Sequence, residues 1–291
     1  TITFNATTTG KTVTTNGVSI SGAVTFNGVG GGWTLGSALT VNNVSGVSVL
    51  AGTFDTSAAS NYAVTTTGIF STTGALTKTI NFNASTITIS VQSSAAFNAP
   101  SGTTNLTFNA GTSQINLTAA AGSGINSFGL IFYNVAFTGT TAANKLVTGI
   151  NTFNNFAVTA PSAAGVNTVT FDSAQTINGT LSTTGTAGNC RVFFSSATYG
   201  ISITLTVNSA PSLTDADFRG IYVIGTSAPI SGTRIGNRGE SRGITFDTPK
   251  TVYWNLAGAQ NWSANGWATT STGTPSTDNF PLPQDTATFT N

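Results

Sequence analysis

The sequence predicts an all-β protein, namely a right-handed parallel β-helix that carries an irregular, tryptophan-rich segment at its C-terminal end. Three observations lead to this fold class: the residue composition, a series of short alternating strands and a recurring phenylalanine phrase. The 291 residues include 33 glycines and abundant threonine but few Leu, Glu, Lys and Arg residues and no Met. Glycine and threonine are poor helix formers, so the composition alone disfavours helices.

The strands are predicted from short runs in which apolar and polar residues alternate. Each run holds about four to seven residues, is rich in β-branched side chains and is bounded by Gly, Asn or Ser, as strands of a half-buried sheet are. The clearest examples are residues 18–20, 23–26, 86–91, 166–171 and 201–207.

A phrase of the form apolar-Thr-Phe-Asn/Asp, with close variants, recurs along the chain and predicts the coils. Its phenylalanines are Phe4, Phe26, Phe54, Phe82, Phe108, Phe171 and Phe246, and the first four gaps are 22, 28, 28 and 26 residues. Such a period suits one β-helix coil of two or three strands. We therefore expect Phe26, Phe54, Phe82 and Phe108 to share one core, one coil apart at about 4.8 Å per coil. The rival interpretation is a pair of antiparallel sandwich domains.

Local composition divides the predicted β-helix into three parts. Residues 1–208 form coils, residues 209–249 continue them with mixed charges, and residues 250–291 form a Trp- and Pro-rich segment. The glycine run at 28–32 is expected at a corner or an insertion, since no helix-forming segment follows it as in a dinucleotide site. Residues 286–289 look like the start of another coil, which predicts that the chain is truncated from a longer one.

The charge content excludes several classes of function. Charged residues make up 6% of the chain, the formal net charge is +1, histidine is absent and Cys190 is the single cysteine. A Ser–His–Asp triad, a Cys–His pair and a His-ligated zinc are therefore impossible, and we predict no cofactor and no metal. Nucleic acid is not expected as a partner because basic residues are few, and no apolar run is long enough to insert as a membrane helix.

Carboxylates are the remaining catalytic option. Asp215 and Asp217 lie two residues apart, so they would share one face of a strand, and Glu240 with Asp247 is a second possible pair. Four arginines lie among these acids, at positions 219, 234, 238 and 242. The interpretation we prefer is a mixed-charge surface with internal ion pairs, because arginine neighbours lower a carboxyl pKa whereas a general acid needs a raised one.

The C-terminal third carries an ordered series of motifs. It reads DADFRGI at 215–221, GTRIGN at 232–237, GITFDTPKTVYW at 243–254, NWS at 261–263, Trp267 and LPQD at 282–285. This series resembles one in large, repetitive, Thr/Ser/Gly-rich structural proteins of environmental bacteriophages and in related bacterial surface proteins. The resemblance implies an extracellular, non-enzymatic virion fibre or tail-associated adhesin, which self-associates as a homotrimer and contacts other virion proteins.

Three of the four tryptophans lie in this C-terminal segment, and two roles remain open for them. Trp254, Trp262 and Trp267 could form a local core where the β-helix changes cross-section. Alternatively, exposed faces of these tryptophans or of Tyr253 could stack on sugar rings of a host-surface glycan. Two other functions remain as alternatives: a polysaccharide depolymerase that uses the carboxylates, and an ice-binding or surface adhesin that uses Thr-x-Thr pairs such as 86/88 and 204/206.

Overall fold

The computed structural model describes residues 1–185, 187–258 and 260–289, and almost all of its regular structure is β-strand. Twenty-four strands wind around a common core: β1 Ile2–Phe4, β2 Lys11–Val13, β3 Val24–Leu35, β4 Leu39–Val41, β5 Val47–Asp55, β6 Val64–Thr66, β7 Phe70–Ser71, β8 Lys78–Asn81, β9 Thr86–Ile89, β10 Ser93–Ala99, β11 Leu106–Asn109, β12 Gln114–Leu117, β13 Ser123–Ser127, β14 Ile131–Phe137, β15 Asn144–Thr148, β16 Asn151–Thr159, β17 Gly165–Phe171, β18 Gln175–Ile177, β19 Leu181–Thr184, β20 Cys190–Ser196, β21 Ile203–Val207, β22 Ala216–Arg219, β23 Ile221–Ile224 and β24 Gly236–Asn237. Three further strands form a separate sheet: β25 Thr251–Trp254, β26 Trp267–Ala268 and β27 Thr286–Phe289. The described residues contain one short 3-10 helix, Thr277–Asn279, and no helix among them is long and apolar enough to cross a membrane.

The 24 strands form two sheets in which every neighbouring pair is parallel. The 14-stranded sheet follows the order β1-β3-β5-β7-β10-β13-β15-β17-β20-β22-β24, and the ten-stranded sheet follows β23-β21-β18-β16-β14-β12-β9-β6-β4. Partners in each sheet come from successive passes of the chain, and the connection between them runs through the other sheet. This topology confirms the predicted parallel β-helix and excludes the antiparallel sandwiches.

The register fixes the length of each coil. Val24 pairs with Val47, Val47 with Phe70, and Phe70 with Phe97, so successive partners are 23, 23 and 27 residues apart. These spacings fall within the predicted range of 22 to 28. Elsewhere the coil length varies, because corners shorten or lengthen: Ile115 pairs with Val135, only 20 residues further along the chain.

The core is a column of apolar side chains with an unbroken series of aromatic contacts. Ring centroids lie 4.9–6.3 Å apart from one member to the next in the order Phe4, Phe26, Phe54, Phe70, Phe97, Phe132, Phe153, Phe156, Phe171, Phe194, Phe218. Offset and edge-to-face pairs at such distances add to the stabilisation that burial of the rings provides. The predicted shared phenylalanine core is therefore confirmed.

The recurring phrase does not mark a single position of the coil, and here the simplest interpretation of the period is wrong. Phe26 pairs with Val49 rather than with Phe54, whereas Phe54 pairs with Trp33 and with Ile80. The phrase thus occurs on two different stacks of strands. Both stacks need a large inward side chain, so the same local pattern satisfies each of them.

The glycine run explains part of this offset, because it lies inside β3 as an insertion. The β3–β5 register shifts on both sides of the step from Asn27 to Gly32. Gly30 has a φ of +79°, and a side chain on Gly28 would overlap the carbonyl oxygen of Ala6 in the preceding coil. Only glycine allows this close approach.

Two strand predictions need correction. Residues 18–20 do not form a strand; Ile20 makes a single bridge to Val41. Residues 286–289 do not open a new coil, because β27 pairs with β25, and β25 pairs with β26 in an antiparallel hairpin. The division proposed at 208 falls between strands of the two large sheets. The division at 250 falls between the bridge of Ile244 to Ile230 and the start of β25.

Candidate functional site

The C-terminal sheet carries a small core of its own, and it takes up two of the three clustered tryptophans. Trp254 on β25 and Trp267 on β26 are register partners, are buried, and meet edge to face with ring centroids 5.1 Å apart. Val252 and the partly buried Leu256 and Phe280 pack around them. For these two tryptophans the structure favours the core role, because their ring faces are covered by protein.

Trp262 differs from its two neighbours because 48% of its surface is exposed. One side of its ring packs against Trp267, with centroids 4.6 Å apart, and the Trp267 indole Nε1–H donates to the Trp262 carbonyl at 3.3 Å. Asn189 of the β-helix donates to the carbonyl of the next residue, Ser263, at 2.7 Å. These contacts hold the Trp262 ring while leaving part of it open to solvent.

Trp262 borders a cleft between the C-terminal segment and the flank of the β-helix. The cleft, named here the Trp262 cleft, has a volume of about 550 Å³. Its apolar wall includes Trp262, Phe280 and Leu282, and its polar residues are Asn189, Arg191, Asp217, Arg238 and Asp285. Tyr253 and the two buried tryptophans do not line it, so one of the four predicted binding residues contributes to the cleft.

Arg191, which the sequence did not single out, is the centre of a buried ion network below this cleft. Its side chain is 3% exposed, and it donates to Asp217 through Nε at 2.9 Å and through Nη2 at 2.6 Å, and to Asp215 through Nη1 at 3.4 Å. Asp215 and Asp217 are completely buried. The predicted shared face of these two acids is therefore real, but an arginine lies between the carboxylates.

Each buried carboxylate has a second arginine. Arg234 donates to Asp215 at 2.6 and 2.8 Å, and Arg238 donates to Asp217 at 3.1 and 2.8 Å. The hydrogen bond to Asp215 raises the pKa of Arg234, and this outweighs the opposing effect of burial. Both carboxylates are thus fixed by two-pronged hydrogen bonds of the strong, charge-assisted kind.

The arginine cluster is therefore not the mixed-charge surface that was predicted. Two of its four members take part in the buried network, whereas Arg219 and Arg242 lie against aromatic rings. The Arg219 guanidinium carbon is 5.5 Å from the ring centroids of both Phe193 and Tyr199, and that of Arg242 is 5.0 Å from Tyr222. Arg191 escaped the prediction because it is a single charge in the otherwise apolar strand β20, remote in sequence from its acidic partners.

The second predicted acid pair is not assembled. Glu240 accepts a hydrogen bond from the Gly200 amide at 3.3 Å, whereas Asp247 accepts one from the Ile235 amide at 3.0 Å. Each carboxylate thus secures a different backbone segment. Within the described parts of the chain, no group of three or more His, Cys, Asp or Glu residues is placed to hold a metal ion.

Polar bonds also fasten the C-terminal segment to the β-helix. The Gln284 side chain donates to the carbonyls of Ile235 and Asp247, both at 3.1 Å, and accepts from the Asn237 amide at 2.9 Å. Arg234 reaches across to Asp278 at 2.6 Å. The two walls of the Trp262 cleft are therefore held in a fixed relation.

The threonine pairs do not form a two-column array. Thr88 is flanked by Thr65 and Asn116, while Thr204 lies beside Tyr222. A flat lattice of Thr-x-Thr pairs would need threonines at both positions in consecutive coils. The register does not support the ice-binding alternative.

No protein-family model, curated protein or solved structure matches this chain. The geometry of the Trp262 cleft must therefore carry the functional interpretation. It offers an indole face beside fixed planar guanidinium and carboxylate groups, in a volume within the range of small-molecule sites.

Proposed function

We propose that the protein is a non-enzymatic structural and attachment segment, of the kind found in bacteriophage fibres and extracellular adhesins, and that it binds a host-surface glycan. The observation that carries the proposal is the half-exposed Trp262 ring at the edge of a cleft with fixed polar groups. Sugar rings present an apolar face of C–H groups and a rim of hydroxyls. An aromatic face beside planar hydrogen-bonding groups complements both features.

The β-helix and its surface composition support an extracellular role. With 6% charged residues, the outward positions are mostly hydroxyls and amides, which suit contact with neutral polysaccharides. The motif series at 215–285 supports the assignment to a virion. Mass spectrometry of purified phage particles should find this chain together with capsid and tail proteins. Light scattering should detect the proposed homotrimer, and a stable monomer would count against that oligomer.

The ion network favours attachment over polysaccharide cleavage. A retaining or inverting glycosidase needs one carboxyl group that stays protonated as the general acid. Asp215 and Asp217 each accept hydrogen bonds from two arginines, which stabilises the ionised form instead. The two acids therefore serve as structural anchors beneath the cleft.

Glycan binding can be tested with Trp262→Ala on a panel of bacterial surface polysaccharides. We expect Trp262→Ala to weaken binding about tenfold or more, the loss typical of truncating a central tryptophan of an interface. Tyr199→Ala is the matched control, because Tyr199 is an aromatic residue with 77% exposure that does not line the cleft. If both variants bind as the wild type does, the cleft is not the attachment site.

A further inference from the structure

A second cleft on the β-helix contains a buried cation that lacks an anionic partner. Lys145 on β15 is 1% exposed, and its ammonium group donates one recorded hydrogen bond, to the Ala121 carbonyl at 3.2 Å. No acid lies within salt-bridge distance of it among the described residues. A lysine is seldom fully buried without a counter-ion, because its charge is costly to desolvate.

Ser123 supplies an independent sign of a missing ligand. It is the register partner of Lys145 on the neighbouring strand β13, it is 1% exposed, and its hydroxyl has no hydrogen-bond partner. Both residues line a cleft of about 520 Å³, named here the Lys145 cleft. Gln92, Ser93 and Asn144 add further polar groups to its lining.

The chemistry of these residues selects the class of ligand. One ammonium group beside a hydroxyl matches a carboxylate, which carries one negative charge and has two acceptor oxygens. Phosphate is a poorer match, because no arginine fork lines the cleft to neutralise a second charge. The volume admits a group larger than a simple anion, and the hydroxyls and amides of the lining suit sugar hydroxyls.

We propose that the Lys145 cleft binds a saccharide unit that carries a carboxylate, such as a hexuronic acid, with the carboxylate on Lys145 and Ser123. Burial lowers the pKa of Lys145, and an anionic ligand would offset that effect. The cleft shares no lining residue with the Trp262 cleft. Failure of either proposal therefore leaves the other standing.

The test is a calorimetric titration of the whole chain with sodium glucuronate, glucose and inorganic phosphate. We expect glucuronate to bind and glucose and phosphate not to bind. Lys145→Met should abolish detectable glucuronate binding. Lys78→Met is the matched control and should not change it, since Lys78 is equally buried and also bonds a single carbonyl, at 2.8 Å, but does not line the cleft.

Two milder variants keep the test decisive if Lys145→Met does not fold. Ser123→Ala should weaken glucuronate binding about threefold to tenfold, as loss of one hydrogen bond does. Asn144→Asp changes an exposed lining residue and should also weaken binding, because it places a like charge near the ligand. Equal affinity for glucose and glucuronate, preference for phosphate, or unchanged binding by both variants would overturn the proposal.

Discussion

Replacement of Arg191 by methionine tests the buried ion network most directly. The change removes the hydrogen bonds from Arg191 to Asp215 and Asp217 but keeps a side chain of similar length. It also leaves the carbonyls of Ala216 and Arg234 without the donor that now lies 3.4 and 2.8 Å away. Two completely buried carboxylates would then each keep only one arginine.

The expected loss in the free energy of unfolding is about 3–5 kcal/mol, the range seen when one partner of a buried ion pair is removed. For a chain of this size that corresponds to a fall in Tm of about 6 °C or more. Guanidinium and thermal unfolding followed by tryptophan fluorescence would measure it. Arg219→Met is the control: Arg219 packs on rings without a carboxylate partner, so we expect a loss of about 1 kcal/mol or less.

A double variant separates the network from general damage to the core. If uncompensated carboxylate charge causes the loss, Arg191→Met combined with Asp217→Asn should be less destabilised than the sum of the two single changes. The reasoning fails if Arg191→Met costs no more than Arg219→Met. It also fails if the two single effects simply add.

Two further predictions concern the corners and the absence of chemistry. Gly46→Ala should destabilise the protein by several kcal/mol, since Gly46 has a φ of +63° and a side chain there would overlap the Ile69 backbone; Gly10→Ala should cost only about 1 kcal/mol, because Gly10 has a similar φ of +79° but open space around it. Chemical denaturation of the two variants compares these effects, and equal losses would show that overlap between coils is unimportant. Incubation with bacterial capsule or lipopolysaccharide should release no reducing ends, and Asp217→Asn should alter stability alone; cleavage that disappears in Asp217→Asn would instead establish a depolymerase.

The sequence predicted the fold well because coil formation is governed by local patterns. Short β-branched runs and regularly spaced phenylalanines are visible in one dimension, and the structure stacks them as expected. The register was not predictable in the same way. Phe26 and Phe54 look equivalent in sequence, yet they occupy different stacks, since the insertion at Gly28 is resolved only when the coils are placed on one another.

The candidate site was predicted less completely, because it depends on contacts between distant residues. Trp262 was proposed with Trp254 and Trp267, but nothing local distinguishes the exposed ring from the buried ones. Arg191 meets Asp215 and Asp217 only because β20 and β22 are neighbours in the sheet. Sequence spacing showed that the two acids share a face, whereas the arginine between them required the three-dimensional register.

The parallel stacking of the coils has a mechanical consequence. The hydrogen bonds between coils run along the axis of the β-helix, so a force applied to its two ends pulls on them lengthwise rather than sliding the strands past one another. Bonds loaded in this way open one coil after another, as a zipper does. A released coil such as the 23 residues from Val24 to Val47 can extend to about 80 Å, so the protein would lengthen in steps under tension instead of breaking all at once.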